Sequence, residues 1–331
     1  MKLNRRSSGI RAYLSKERRF VTYDSAGIAS YYDNLSRFLD FSQAFGRGGG
    51  AAQGSVHRFL AAGPGEARGE NLGPERLDHS VFEAAVAAGL PVAPRVLDAG
   101  CGLGGTIFFW RGRRGGSYDG LTLSPEQHRR ATLEAARRGV ADACRFHIRS
   151  YQEPIPERAG VPGSLAGPFD AVIAVESLAH SPDPGATIAN LTATLTPGGL
   201  LLIVDDMPVE GRDNVLLTEF KRCWRCPVLA DAASYRAAMA AAGIAVVHEA
   251  DWTLRLRPRP LPWLRVLIAA FGLAGRLSPS PALRDGLEAM RGGFVLEALY
   301  RTSGMRYGFI VARKPAAPEN QNGHPIAEAA V

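Results

Sequence analysis

The apolar positions change their spacing along the chain, and each change marks an element. Residues 20–60 carry Tyr31, Tyr32, Phe38, Phe41 and Phe45 in a pattern that predicts a partly helical, aromatic segment. Glycines over 46–54 break it, and Pro64 with further glycines over 63–73 predicts a loop. His57 lies between the two breaks, where a surface or core place is expected for a lone histidine. From Glu75 the pattern becomes regular. Val81, Phe82, Ala85, Val86 and Leu90 predict a helix over 77–90, stopped by Gly89 and Pro91. Short apolar runs at 95–97, 117–123, 144–148, 169–175 and 200–204 predict strands, and helices are expected over 125–138 and 186–195. Strands alternating with helices imply βαβ units, a parallel sheet and right-handed crossovers. After Asp206 the rhythm lapses. Helices are expected over 214–225, 231–242, 263–277 and 281–301, with strands at 245–251 and 305–312. The polar, Pro- and Ala-rich residues 315–331 are expected to be disordered.

One stretch carries more than pattern. Val96-Leu97-Asp98-Ala99-Gly100-Cys101-Gly102-Leu103-Gly104-Gly105-Thr106 reads as a strand, a tight loop and a helix. Glycines let such a loop turn sharply and let a ligand approach the backbone, and the helix start offers unpaired N–H groups to an anion. Gly100, Gly102 and Gly105 satisfy the dinucleotide pattern G-x-G-x-x-G. With Asp98 ahead of it, the stretch also resembles motif I of class I S-adenosylmethionine (SAM) methyltransferases. The next strand ends at Thr122, where a nicotinamide enzyme places a carboxylate for the ribose; Asp119 lies three residues earlier. Gly120-Leu121-Thr122-Leu123-Ser124-Pro125-Glu126-Gln127 resembles the methyltransferase branch of the sterol, tocopherol and cyclopropane-fatty-acid enzymes, where Thr and Gln replace that acid. Ser124 to Gln127 is also a capping box with proline at the first helical position.

Two further stretches carry the same resemblance. Phe169 to His180 is similar to the fourth-strand motif of that branch, and Leu195-Thr196-Pro197-Gly198-Gly199 matches the turn before its fifth strand. Ala179 departs from the cyclopropane synthases, which have a glutamate there. Ser150 and Tyr151 stand where many relatives carry an aspartate for the adenine. No motif for amino-group methylation of nucleic acid is present.

The resemblance implies a Rossmann-like, doubly wound sheet of seven strands, mostly parallel with the last antiparallel, plus a helical N-terminal segment and a helical cap insertion. It divides the chain into an N-terminal arm and lid (1–74), a SAM-binding core (75–254), a cap (255–303), a final strand (304–314) and a tail (315–331). It implies cofactor contacts from Asp98, Gly100, Cys101, Gly102, Gly104, Thr122, Leu123, Gln127, Ser150, Tyr151 and Glu176. His180 and Glu176 are the candidate catalytic residues, because both fall at the carboxyl edge of the sheet and imidazole titrates near neutral pH. Tyr31, Tyr32 and His180 are the candidate acceptor contacts. The implied activity is methyl transfer from SAM to a small lipophilic molecule, on carbon or oxygen. A methyltransferase-like protein that binds SAM or a partner without catalysis, and a nicotinamide oxidoreductase, remain open alternatives.

Charge and cysteine content narrow the partners. Of the net charge of +7, six units come from residues 1–20, where Lys2, Arg5, Arg6, Arg11, Lys16, Arg18 and Arg19 face Glu17 alone. The remainder is close to neutral, which argues against a nucleic-acid enzyme. The arm is a solvated tail or a contact with an anionic membrane or a partner. No apolar run reaches the length of a spanning helix, and the arm lacks the apolar stretch of a secretory signal. A cytoplasmic enzyme, membrane-associated or not, is the expectation. Four cysteines do not make a disulfide framework, and Cys223-Trp224-Arg225-Cys226 lacks the further ligands of a zinc site, so no metal is expected. Residues 253–277 are both basic and apolar. They fit a helix packed on the core, a cap over the site or an interfacial helix. The sequence leaves the oligomeric state open.

Overall fold

The computed structural model describes residues 27–29, 33, 57–62, 75–155, 165, 167–212, 214–226 and 228–316. Tyr31, Tyr32, most of the predicted lid and residues 317–331 lie outside the described residues. In chain order the elements are α1 (Arg76–Ala87), β1 (Arg95–Ala99), α2 (Gly105–Arg114), β2 (Ser117–Thr122), α3 (Pro125–Arg137), β3 (Cys144–Ile148), β4 (Phe169–Val175), α4 (Pro184–Ala193) and β5 (Leu195–Pro208). There follow α5 (Val215–Trp224), α6 (Ala232–Ala241), β6 (Ala245–Asp251), α7 (Leu261–Leu277), α8 (Pro281–Arg301) and β7 (Met305–Arg313).

The seven strands form one sheet in the order β3-β2-β1-β4-β5-β7-β6. The first five are parallel, and β7 runs antiparallel to both β5 and β6. β6 therefore points the same way as β1–β5, and its carboxyl end lies at the same edge of the sheet as theirs.

Both faces of the central strands are buried, and alternate residues belong to different faces. Val96, Ala171, Ile173, Leu200, Leu202, Val204, Phe309 and Val311 join the core beneath α1, α2, α5 and α8. Leu97, Ala99, Val172, Ala174, Leu201, Ile203, Ile310 and Ala312 join the core on the opposite face with α4 and α6. By this alternation Asp98 and Asp206 project toward the first core and Asp205 toward the second. Most helices begin on a side-chain cap. Ser124, Asp183, Asn214 and Asp231 accept from the backbone N–H three residues on, which satisfies one of the donors a helix start leaves unpaired.

Two elements differ from the pattern. The helix expected over 186–195 starts earlier, because Asp183 caps it and Pro184 takes its first position. The fifth strand, expected over 200–204, runs from Leu195 to Pro208. Its extension holds the polar pair Asp205-Asp206, which looks like a strand end, but β7 pairs with it through to Pro208 opposite Met305. The 255–303 insertion is helical as expected. Its α7 packs on α8 rather than on the sheet, and Leu264, Phe294 and Ala298 form a small core between them.

Candidate active site

The carboxyl edge of the sheet gathers the candidate residues. After β1 the backbone N–H groups of Gly100 and Cys101 both donate to the Leu121 carbonyl, at 3.1 and 2.8 Å, and Gly104 N–H donates to the Cys101 carbonyl at 2.8 Å. These bonds fold the glycine stretch back over the β2 tip. Gly100 has φ +103°, and a Cβ there would lie 2.4 Å from that of Ser177. Gly102, at φ +54°, is different: a Cβ would meet no atom within 4 Å. The loop thus presents bare backbone to open space beside the start of α2. That start, at Gly104, has no side-chain cap. Cys101 is buried, and burial pushes its thiol well above the ordinary range.

At the β2 tip the buried Thr122 hydroxyl donates to Gln127 Oε1 at 2.8 Å and accepts from Ser124 N–H at 3.1 Å. The Ser124 hydroxyl accepts from Gln127 N–H at 3.0 Å and donates to Asp33, which reaches this tip from the N-terminal segment. Leu123 is half-buried beside them. Asp119 is directed elsewhere. It is buried 2.9 Å from His147 Nε2, within the sheet rather than at the tip. At the β3 end Ser150 accepts from Gln152 N–H at 3.1 Å, and Tyr151 donates to the Ser177 carbonyl at 2.7 Å. Tyr151 thereby ties the β3 and β4 ends together.

The β4 tip is built from charge. Glu176 has φ +53°, a left-handed conformation that turns the chain off the strand. Its carboxylate accepts from Arg58 Nη1 at 2.8 Å and from the Tyr307 hydroxyl at 2.8 Å, and lies 3.5 Å from His57 Nδ1. Arg58 also forks onto Asp206, with Nη1 and Nη2 at 3.1 and 2.7 Å from the two carboxylate oxygens. The Tyr300 hydroxyl donates to the same Asp206. The rings of Trp224, Tyr300 and Tyr307 surround the guanidinium, with centroids 5.7, 5.9 and 5.4 Å from its carbon.

His57 continues the network. Its Nε2 lies 2.9 Å from the Thr106 hydroxyl, which donates to the buried Asp78 at 2.6 Å. The hydroxyl's proton is committed to Asp78, so His57 Nε2 is the donor to Thr106.

Burial acts against every charge in this cluster, and the partners decide the outcome. Burial pulls His57 down, but Asp78, Glu176 and Asp98 outweigh it and hold the imidazolium to about 9. Burial pushes Glu176 up, but Arg58, His57 and Tyr307 bring it to about 2. Asp98 lacks such a partner; burial raises it to about 7, only partly offset by His57. Burial likewise raises Asp205, beside Asp206, to about 7. His180, in the short turn after β4, is buried, which pulls its imidazole down to about 4 against a hydrogen bond with the Arg225 backbone. It is neutral at pH 7.

The described candidates thus gather along one edge: the glycine loop with Asp98, the Thr122–Gln127 pair, the Ser150–Tyr151 end and the Glu176–His180 turn. His57, Arg58, Asp78, Asp206, Tyr300 and Tyr307 were missed. A signal existed for one of them, Asp206. Asp205-Asp206 closes an apolar run, and acids at the carboxyl end of a parallel strand face the ligand edge. His57 and Arg58 carry no motif. The Cys223-to-Cys226 pair stands apart as free, buried thiols. Cys223 approaches Glu219 and Glu288, whose charges Arg222 and Arg291 already meet.

Known proteins resemble this chain in sequence and in fold. The family model of a methyltransferase domain matches residues 97–201, from the glycine loop into the fifth strand. The chain is similar to a probable chloroplastic tocopherol O-methyltransferase of Oryza sativa subsp. japonica, 25% identical over 275 residues that cover 78% of this chain and 72% of that protein. It is 35% identical over 133 residues to a ubiquinone biosynthesis O-methyltransferase of Xanthomonas axonopodis pv. citri (strain 306), covering 40% of this chain and 49% of that one. Its fold is similar to a solved geranyl diphosphate methyltransferase in complex with GPP and sinefungin, with a TM-score of 0.62, 20% identity and coverage of 89% and 99%. Motifs, strand order and these likenesses agree: residues 97–201 match a methyltransferase domain, and the fold is that of solved S-adenosylmethionine-dependent methyltransferases.

Proposed function

We propose that this protein transfers the methyl group of SAM to a small lipophilic acceptor, an isoprenoid, lipid, quinone or polyketide, at carbon or oxygen. The observation that carries the reading is the open backbone cradle at Gly102 beside a buried, acid-rich edge. Asp78, Asp98, Glu176 and Asp206 converge there against His57 and Arg58. Such an edge suits a ligand with an ammonium and a sulfonium charge, and the uncapped α2 start suits its carboxylate. The tocopherol, ubiquinone and geranyl diphosphate enzymes named above supply the acceptor class by analogy.

Gly100, Cys101, Gly102 and Gly104 would hold the methionine end through the backbone, with Asp98 and Glu176 as the facing carboxylates. Thr122, Leu123 and Gln127 would line the ribose, and Ser150 and Tyr151 the adenine. The cofactor supplies a methyl on a sulfonium, a strong electrophile for in-line attack. The protein's part is to align the acceptor and exclude water. His180 would orient the acceptor, since burial lowers its imidazole to about 4, too weak a base to keep a proton at pH 7. Tyr31, Tyr32 and His180 would contact the acceptor.

Calorimetry of the purified chain with S-adenosylhomocysteine and with NADH tests the cofactor. Micromolar binding of the sulfur ligand, lost by about tenfold or more in Gly102→Val as the valine fills the cradle, is expected. NADH binding without it overturns the reading. Labelled SAM with a panel of prenylated phenols and quinols then separates an enzyme from a binding protein. His180→Asn should lower kcat on a hydroxyl acceptor while leaving adenosylhomocysteine affinity unchanged.

A further inference from the structure

The helix α7 has two unlike faces. Leu264, Gly272 and Gly275 are buried against the rest of the protein. On the opposite side Trp263, Val266, Leu273 and Leu277 are 66%, 61%, 59% and 73% exposed. At 100° per residue these four fall on one stripe, with the exposed Ala270 between them. Single exposed apolar residues are ordinary, but a continuous row along one helix marks an interaction surface.

The charges beside this row identify what it meets. From Trp252 to Arg284 the chain has six arginines and no aspartate or glutamate. Arg255, Arg259 and Arg284 are engaged, with Ser80, Glu297 and the Ser278 carbonyl. Arg257, Arg265 and Arg276 are exposed, and Arg265 and Arg276 flank one side of the stripe. An apolar row bordered by cations is complementary to a bilayer leaflet with acidic headgroups. A second copy would set the same arginines against one another. No helix among the described residues is long and apolar enough to cross a membrane, so α7 would lie in the interface rather than span it.

We propose that α7 docks this protein on an anionic membrane leaflet, with Trp263, Val266, Leu273 and Leu277 at the acyl boundary and Arg257, Arg265 and Arg276 among the headgroups. The insertion leaves the sheet at the carboxyl end of β6, and Tyr300 of its second helix bonds Asp206. Docking would thus bring the leaflet to the acceptor side of the site. The proposal stands on the surface itself and does not depend on the methyl-transfer reading.

The test uses the purified full chain and vesicles of phosphatidylcholine alone or mixed with phosphatidylglycerol. Trp110 and Trp252 are buried and Trp224 is half-buried, so Trp263 is the one exposed tryptophan and reports the contact directly. Expected are co-sedimentation with the mixed vesicles, weakened by added salt, and a blue shift of tryptophan emission. Trp263→Glu with Leu273→Glu, and separately Arg265→Glu with Arg276→Glu, should each weaken binding about tenfold or more. Far-ultraviolet circular dichroism and the urea midpoint should stay unchanged, which shows that the variants fold. Three outcomes overturn the proposal. The chain does not bind mixed vesicles; the variants bind like the parent, which leaves the contact to the basic arm; or sedimentation shows a dimer that Trp263→Glu dissociates.

Discussion

At the β1–β2 side of the carboxyl edge, polar groups are satisfied by neighbours in the chain. Thr122 bonds Gln127 five residues on, and Ser124 caps the helix that carries it. At the β4–β5–β7 side the partners come from far away. Arg58 reaches Glu176 and Asp206 across 118 and 148 residues, and Tyr300 and Tyr307 reach the same two acids across 94 and 131. Apart from Asp98 and the Asp33 that reaches Ser124, the first side is assembled from backbone, glycine and neutral hydroxyl or amide groups, most of them within its own strand–loop–helix units. The second is assembled from buried charge and forms only when the whole domain has closed. The local side should therefore tolerate single changes, and the distant side should fail as a unit.

The sharpest way to break this comparison is Arg58→Met. It leaves Glu176 and Asp206 buried without their cation, and loss of one partner of a buried pair costs about 3–5 kcal/mol. Urea unfolding measures it, and Asp206→Asn added to the variant should recover part of the loss. A loss below about 1 kcal/mol would mean that the cluster is not a unit.

The His57 imidazolium gives a smaller, pH-dependent effect. Its pKa is about 9 in the folded protein against 6.5 as the ordinary value. The folded state therefore binds the proton more tightly, and this contribution is complete below pH 6.5 and lost as pH rises through 9. Asp98 and Asp205, raised to about 7, are half ionised at pH 7 and together add less than about 1 kcal/mol to the fall above it. Between pH 7 and 9 the stability of the parent should therefore fall by roughly 2–3 kcal/mol, and His57→Gln should flatten that fall.

On the local side Thr122→Val should cost about 1–2 kcal/mol, because Gln127 and Ser124 N–H lose one shared partner. The domain should still unfold in one cooperative step, as denaturant curves followed by two probes would show.

The same division explains what could be read from the sequence. β1, β3, β4 and β6 and the start of α3 follow from apolar period, glycine and capping signals, all of which act within a few residues. The glycine loop, Thr122, Gln127 and the Glu176–His180 turn were legible as motif positions for that reason. Arg58 was not, since a single arginine after His57 gains its meaning only from acids on two distant strands. The reach of β5 to Pro208 was hidden likewise. Its last residues are strand because β7 pairs with them, a contact across about a hundred residues of sequence.

The junction of α8 and β7 restricts how a ligand can enter. Three residues, Thr302 to Gly304, separate the helix from the strand, and their N–H groups bond back to the last turn of α8, Gly304 to Leu299 at 2.8 Å. Tyr300 and Tyr307 lie on either side of this turn, each anchored to an acid of the edge. A hinge needs slack, and this joint has almost none. α8 is consequently a fixed wall, since swinging it out would peel β7 from between β5 and β6. Under the proposed function, acceptor and product would therefore pass through other segments of the rim.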